Sequence, residues 1–195
     1  MHRSEPPRAS ARPFFPVPPI SWLAWLQPLL MACLLSASPV HATELDAAQQ
    51  QWLAGHRAQA VQLLEQALVQ TPNELGLRFA LGVMRMELGE RVKARTIFVA
   101  LSQDYPDLAD PYNNLAVLLA ADGELEAARD ALEHAVLLQP THAQALENLG
   151  DVLLRLALRS YERAQAALAA PSPALTLKVH RTQDLLPKVP GSTSR

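Results

Sequence analysis

The sequence predicts an all-α fold, a stack of antiparallel helix pairs, and three observations carry that prediction. The first is a register. Gly89, Ala94, Phe98, Leu101 and Pro106 recur 34 residues on as Gly123, Ala128, Leu132, Ala135 and Pro140, and 34 residues back as Gly55, Ala60, Leu64, Ala67 and Pro72. The second is a small-residue step in the same register, Leu81-Gly82, Leu115-Ala116 and Leu149-Gly150. The third is composition: 195 residues, 49% hydrophobic and 18% charged, describe one ordinary domain with appendages rather than a disordered chain. A fixed period of this length is the signature of repeats that bury their apolar faces only against one another.

The chain opens on different material. Eight of its 16 prolines precede residue 43, and Arg3, Arg8 and Arg12 outnumber the single Glu5 there. An apolar run from Ile20 to Ala37 follows, then Pro39-Val40-His41-Ala42 with small residues where a signal peptidase reads. Residues 1–42 are therefore expected to be a secretory signal cleaved after Ala42. Gln27 and Pro28 interrupt the run, which is short for a spanning helix, so a retained anchor is the lesser alternative. Leu30-Met31-Ala32-Cys33 offers a third route, since it resembles a bacterial lipobox with Cys33 as the lipidated residue. Cys33 is the only cysteine, and cleavage after Ala42 leaves a chain without a disulfide.

Four units follow, at about 43–74, 75–108, 109–142 and 143–170. Thr43 and Asp46 read as a weak capping box opening the first helix. Within each regular unit a first helix, Arg78 to Leu88 or Tyr112 to Ala121, carries the small residue that lets a second helix come close. Gly89 and Gly123 fit the left-handed residue that ends a helix. The second helix, Val92 to Ser102, puts Ala94, Phe98 and Leu101 on one face, and Pro106 and Pro140 end their units. The first unit carries Ala47-Ala48 in place of the Leu-Gly pair, as suits a terminal repeat. The fourth lacks its glycine. Ala157-Leu158-Arg159-Ser160 stands there, and with no breaker between Leu146 and Ala169 the stretch favours one long helix over a hairpin. Ser172 is a good N-cap with Pro173 at the first helical position, so residues 173–186 are expected as a capping helix and 187–195 as a disordered tail.

The glycine, alanine and proline positions together resemble the tetratricopeptide repeat over roughly residues 43–170. That resemblance implies a right-handed superhelix of about 3.5 to 4 units plus a capping helix. It also implies a concave face, lined by the first helices, that receives a segment of a partner protein. Mapped residue by residue, that face is Leu45 and Gln49, then Phe79, Val83 and Met86, then Asn113, Asn114 and Val117, then Glu147, Asn148 and Asp151. Its middle is apolar with an amide and carboxylate edge, a composition suited to an extended or helical segment and equally to Phe79, Val83 and Met86 packing between adjacent first helices, with Asn114 and Asn148 serving packing too. Some family members clamp the C-terminal carboxylate of cytosolic chaperones with Lys, Arg and Asn. Here Asn114 alone matches, while Phe79, Val83, Gln144 and Asn148 stand at the other positions, so that mode is not expected.

Chemistry is not legible in this chain. His56, His134, His142 and His180 never fall at i, i+3 or i+4, so no helix presents a metal pair, and all four read as surface residues. No nucleophile elbow, phosphate loop or dinucleotide fingerprint occurs. Past residue 42 the chain holds 14 basic and 18 acidic residues, which argues against tracking nucleic-acid phosphates. The expectation is a periplasmic scaffold that needs no cofactor and binds protein segments, with no membrane contact unless Cys33 is lipidated. Two alternatives remain: a lipoprotein of the pilotin kind, and a module self-associating through Leu156, Leu158 and Leu168.

Overall fold

The computed structural model describes residues 40–186, and the side chains from residue 44 onward. The expected signal run, Cys33 and the tail lie outside the described residues. These contain eight helices and no strand: α1 Val40–Leu53, α2 Arg57–Gln70, α3 Leu75–Glu87, α4 Arg91–Asp104, α5 Ala109–Ala121, α6 Leu125–Leu138, α7 Ala143–Ala167 and α8 Pro173–Leu185. Helices α1/α2, α3/α4 and α5/α6 are the pairs of the first three units, and the first helices α3, α5 and α7 pack on one another in turn. The result is the all-α stack of antiparallel pairs. Among the described residues no helix is long and apolar enough to cross a membrane.

Local chemistry explains the punctuation. Gly55, Gly89 and Gly123 have φ of 83°, 76° and 83°, the left-handed conformation that lets the chain leave one helix and enter its antiparallel mate. The start of α1 at Val40 corrects one expectation, because Thr43 and Asp46 lie within a helix already under way. The starts of α3 and α5 also precede the expected Arg78 and Tyr112. The Glu74 carboxylate accepts the Leu77 N–H at the head of α3, and Pro111 sits in the first turn of α5, where no backbone donor is needed. Ser172 Oγ accepts the Leu175 N–H at 3.4 Å to cap α8.

The core lies along the seams between helices. Phe98, Leu101, Leu64, Leu132 and Leu77 are fully buried, and Phe98 lies against the small residue of the facing first helix, Gly82. A Cβ at Gly82 would lie 2.9 Å from Phe98 Cζ and 3.2 Å from Ile97 Cγ2. Where the register has leucine instead of phenylalanine, at Leu64 and Leu132, the partner positions are Ala48 and Ala116. Ring size and backbone approach have been matched unit by unit.

The fourth unit breaks this rule. Helix α7 runs unbroken for 25 residues, so residues 143–170 hold no helix pair of their own, and a Cβ at Gly150 would meet nothing within 4 Å. Gly150 is an exposed glycine inside a helix, with the entropic penalty and none of the packing benefit. Gly150→Ala is expected to stabilise the protein by about 0.5–1 kcal/mol in a denaturant titration. Helix α8 packs along α7 and buries Val179 and Thr182. Leu156 and Leu158 are half-buried, Leu156 against the core of α5 and α6, which leaves Leu168 as the exposed member of the suggested self-association surface.

Ion pairs stitch successive units together. Arg95 on α4 reaches Glu124 ahead of α6, Arg159 on α7 reaches Glu126, and the buried Arg85 bridges Glu65 and Glu90. The hydrogen bond from Arg95 holds the Glu124 carboxyl below its ordinary value of 4.5. Arg159 lowers Glu126 in the same way, and Lys93, seconded by Arg85, lowers Glu90. A carboxylate depressed in the folded state stabilises above its unfolded value and loses that contribution as the pH falls through the folded one. The melting temperature should therefore drop on acidification from about pH 5 toward pH 3, and drop less in a Glu124→Gln, Glu126→Gln variant.

Candidate functional site

The face formed by the first helices carries two hollows. The upper one, 410 Å³, lies between α1 and α3 and is lined by Leu45, Gln49, Trp52, Gly76, Phe79, Ala80, Val83, Met84 and Glu87. The lower one, 420 Å³, lies between α5 and α7, with Leu132 of α6 in its floor. Its lining residues are Ala116, Val117, Ala120, Ala121, Asn148, Asp151, Val152 and Arg155.

The two hollows are the same place in the repeat, two units apart. Gln49, Trp52, Ala80, Val83, Met84 and Glu87 correspond in register to Val117, Ala120, Asn148, Asp151, Val152 and Arg155. Their chemistry differs. The upper is walled by Leu45, Trp52, Phe79 and Val83, with Arg57 stacked over the Trp52 ring at 4.4 Å and paired to Glu87 at 3.6 Å. The lower has an alanine and valine floor and a polar edge of Asn148, Asp151 and Arg155.

The expected groove residues thus divide. Phe79 and Val83 line the upper hollow, and Val117, Asn148 and Asp151 the lower. Met86 turns away and packs against the cluster of Ala94, Phe98, Leu101 and Leu118. Asn113 is buried, its Oδ1 accepting from Asn148 Nδ2 at 2.8 Å, so it joins α5 to α7 instead of facing a ligand. Asn114 donates to the Asp110 carbonyl one turn back at 3.0 Å and lines neither hollow. Phe79 does two jobs, since its ring also meets Phe98 edge-on at 5.7 Å. Glu147 is exposed beside the lower hollow without lining it.

Sequence reasoning missed Trp52, Glu87 and Arg155. Each lies about one turn beyond Gln49, Val83 or Asp151 on the same first helix, and continuing that stripe one turn would have reached them. The histidines also need correction. His56 and His180 are exposed, but His134 packs on Tyr112 at 4.4 Å. His142 is half-buried at the head of α7, where Nδ1 accepts the Ala145 N–H at 3.2 Å and Nε2 bonds Asp110 at 3.0 Å. Because a backbone N–H can only donate, the proton of the neutral ring belongs on Nε2. Among the described residues no group of three His, Cys, Asp or Glu is arranged to hold a metal.

No protein-family model and no curated protein matches the chain. Solved structures do. The first TPR of Spaghetti (RPAP3), bound to an HSP90 peptide, is 16% identical over 60% of this chain and 92% of its own, with a TM-score of 0.56. The type III secretion chaperone SycD of Yersinia enterocolitica, in complex with a peptide of the translocator YopD, is 17% identical over 62% and 97%, TM-score 0.55. MamA is 20% identical over 73% and 80%, TM-score 0.56.

Proposed function

We propose that this chain, which has the tetratricopeptide-repeat fold, is an adaptor that holds an extended or helical segment of a partner protein along the face bearing its two hollows. The observation that carries this reading is the repetition of one apolar hollow in the same register two units apart. A ligand laid across the first helices meets two depressions of similar volume, each able to take an apolar side chain. The structural relatives add support, since the Spaghetti domain carries a peptide of HSP90 and SycD a peptide of YopD.

The setting we propose is the bacterial periplasm, in envelope assembly or secretion, after removal of residues 1–42. The support is in the sequence: basic residues, an apolar run and Pro39-Val40-His41-Ala42 in that order. Intact mass from the native host tests it, with a chain starting at Thr43 expected. A start at a lipid-bearing Cys33 would replace the soluble adaptor by a tethered one.

The groove itself is tested by a photoreactive amino acid placed at Gln49, Val117, Val69 or Leu137 in the native host. Gln49 and Val117 line the hollows, whereas Val69 and Leu137 are 75% exposed on second helices. Discrete partner crosslinks are expected from the first two positions and not from the others. The reverse pattern would sink the reading.

A further inference from the structure

Among the described residues, Arg155 is the half-buried arginine for which no acidic partner is found. Of the ten arginines among the described residues, Arg57, Arg78, Arg85, Arg91, Arg95, Arg129 and Arg159 each pair with a carboxylate. Arg163 and Arg181 are exposed, where water solvates the charge. Arg155 is neither paired nor fully exposed. Its one bond is a long 3.5 Å contact from Nη1 to the Ala120 carbonyl, which already accepts the Gly123 N–H at 3.2 Å. The rest of the guanidinium fork is left to the lower hollow, against a floor of Ala116, Ala120 and Val152.

We infer that the lower hollow is a specificity subsite for a partner segment in which an aliphatic side chain lies next to an acidic one. The aliphatic group fills the apolar floor and the carboxylate meets Arg155. The inference rests on the groove reading above and narrows it. Charge complementarity selects the occupant: a half-desolvated guanidinium with open donors binds a carboxylate more strongly than any neutral group. A side-chain carboxylate fits better than a chain terminus. Asp151 lines the same hollow one turn before Arg155 and repels a carboxylate, which an Asp or Glu side chain avoids by reaching out to Arg155 while a terminal carboxylate stays fixed to the backbone. The upper hollow differs, because its equivalent rim residue is Glu87, already engaged by Arg57. A bound segment is therefore oriented, with its acidic residue toward α7 and a plain apolar residue toward α1.

The experiment is selection of phage-displayed random dodecamers on the full chain, followed by affinities of the synthetic peptides, amidated at the C-terminus. Binders sharing an Asp or Glu beside Leu, Ile or Val are expected. Arg155→Glu should weaken them about tenfold or more, and a peptide with that acid changed to Lys should recover on this variant. Arg155→Gln, which keeps length without charge, guards against a folding artefact and should give an intermediate loss. Binders that share no acid, that need a free C-terminus, or that ignore Arg155→Glu while losing affinity to Val117→Asp overturn this inference and leave the groove standing. Binders indifferent to both variants, or no enrichment at all, overturn the groove as well.

Discussion

Phe98→Ala is expected to cost the array about 3–5 kcal/mol, a large share of the roughly 5–15 kcal/mol a domain of ordinary stability holds. The ring is fully buried, lies against Gly82 across the seam between α3 and α4, and meets Phe79 edge-on. Truncation removes the apolar area and leaves a cavity that the helices cannot collapse into, because Leu101 and Leu118 in the same cluster already pack at full burial. Far-UV circular dichroism through a guanidinium titration checks the magnitude. The effect reaches the candidate site as well. With its neighbour gone Phe79 loses the contact that fixes its rotamer, so the upper hollow should lose shape along with the core losing stability. A Phe98→Ala protein as stable as wild type would mean that the seam is not packed as described.

The opposite insult at the same seam is Gly82→Val, expected to cost about 1–3 kcal/mol or more. A Cβ there falls 2.9 Å from Phe98 Cζ, and the branched side chain adds atoms where a buried ring has no room to give. Gly82→Ala sets a favourable helix propensity of about 1 kcal/mol against the same clash. In wild type the clash should win. In a Phe98→Leu background, which reproduces the Ala48–Leu64 and Ala116–Leu132 pairing of the neighbouring units, the sign should reverse. A double-mutant cycle over Gly82 and Phe98 reads that coupling directly, and additive effects would refute the size matching proposed for the seam.

That matching also shows how much the sequence could disclose. The helix pairs, their left-handed glycines and the small residue at each close approach are all written in residues that repeat at a fixed spacing, because every unit must solve the same packing problem. The alanine at position 157, where the register calls for glycine, favoured the unbroken α7 for the same reason. What the spacing could not disclose was which side of a first helix remains open once its neighbour is in place. Phe79 and Asn113 occupy one register position, yet one lines a hollow and the other is consumed by Asn148. That outcome depends on side-chain length and on the separation of adjacent helices, which a periodic pattern does not encode. Arg155 escaped notice because its register mates, Glu87 and Ala121, carry no common chemistry. Its significance lies in a partner it lacks, and absence of a partner is visible only in three dimensions.

The unbroken α7 has a consequence for how the chain comes apart. In an array of separate pairs, each junction opens on its own terms, and fraying creeps inward from both ends. Here a single rod touches α6 on one stretch and α8 on another, and its backbone ladder runs through both. The two junctions at the carboxyl end are therefore yoked into one cooperative block, while the amino end retains the ordinary jointed construction. Erosion of the native state should be lopsided, starting from α1 and the upper hollow and reaching the lower hollow last.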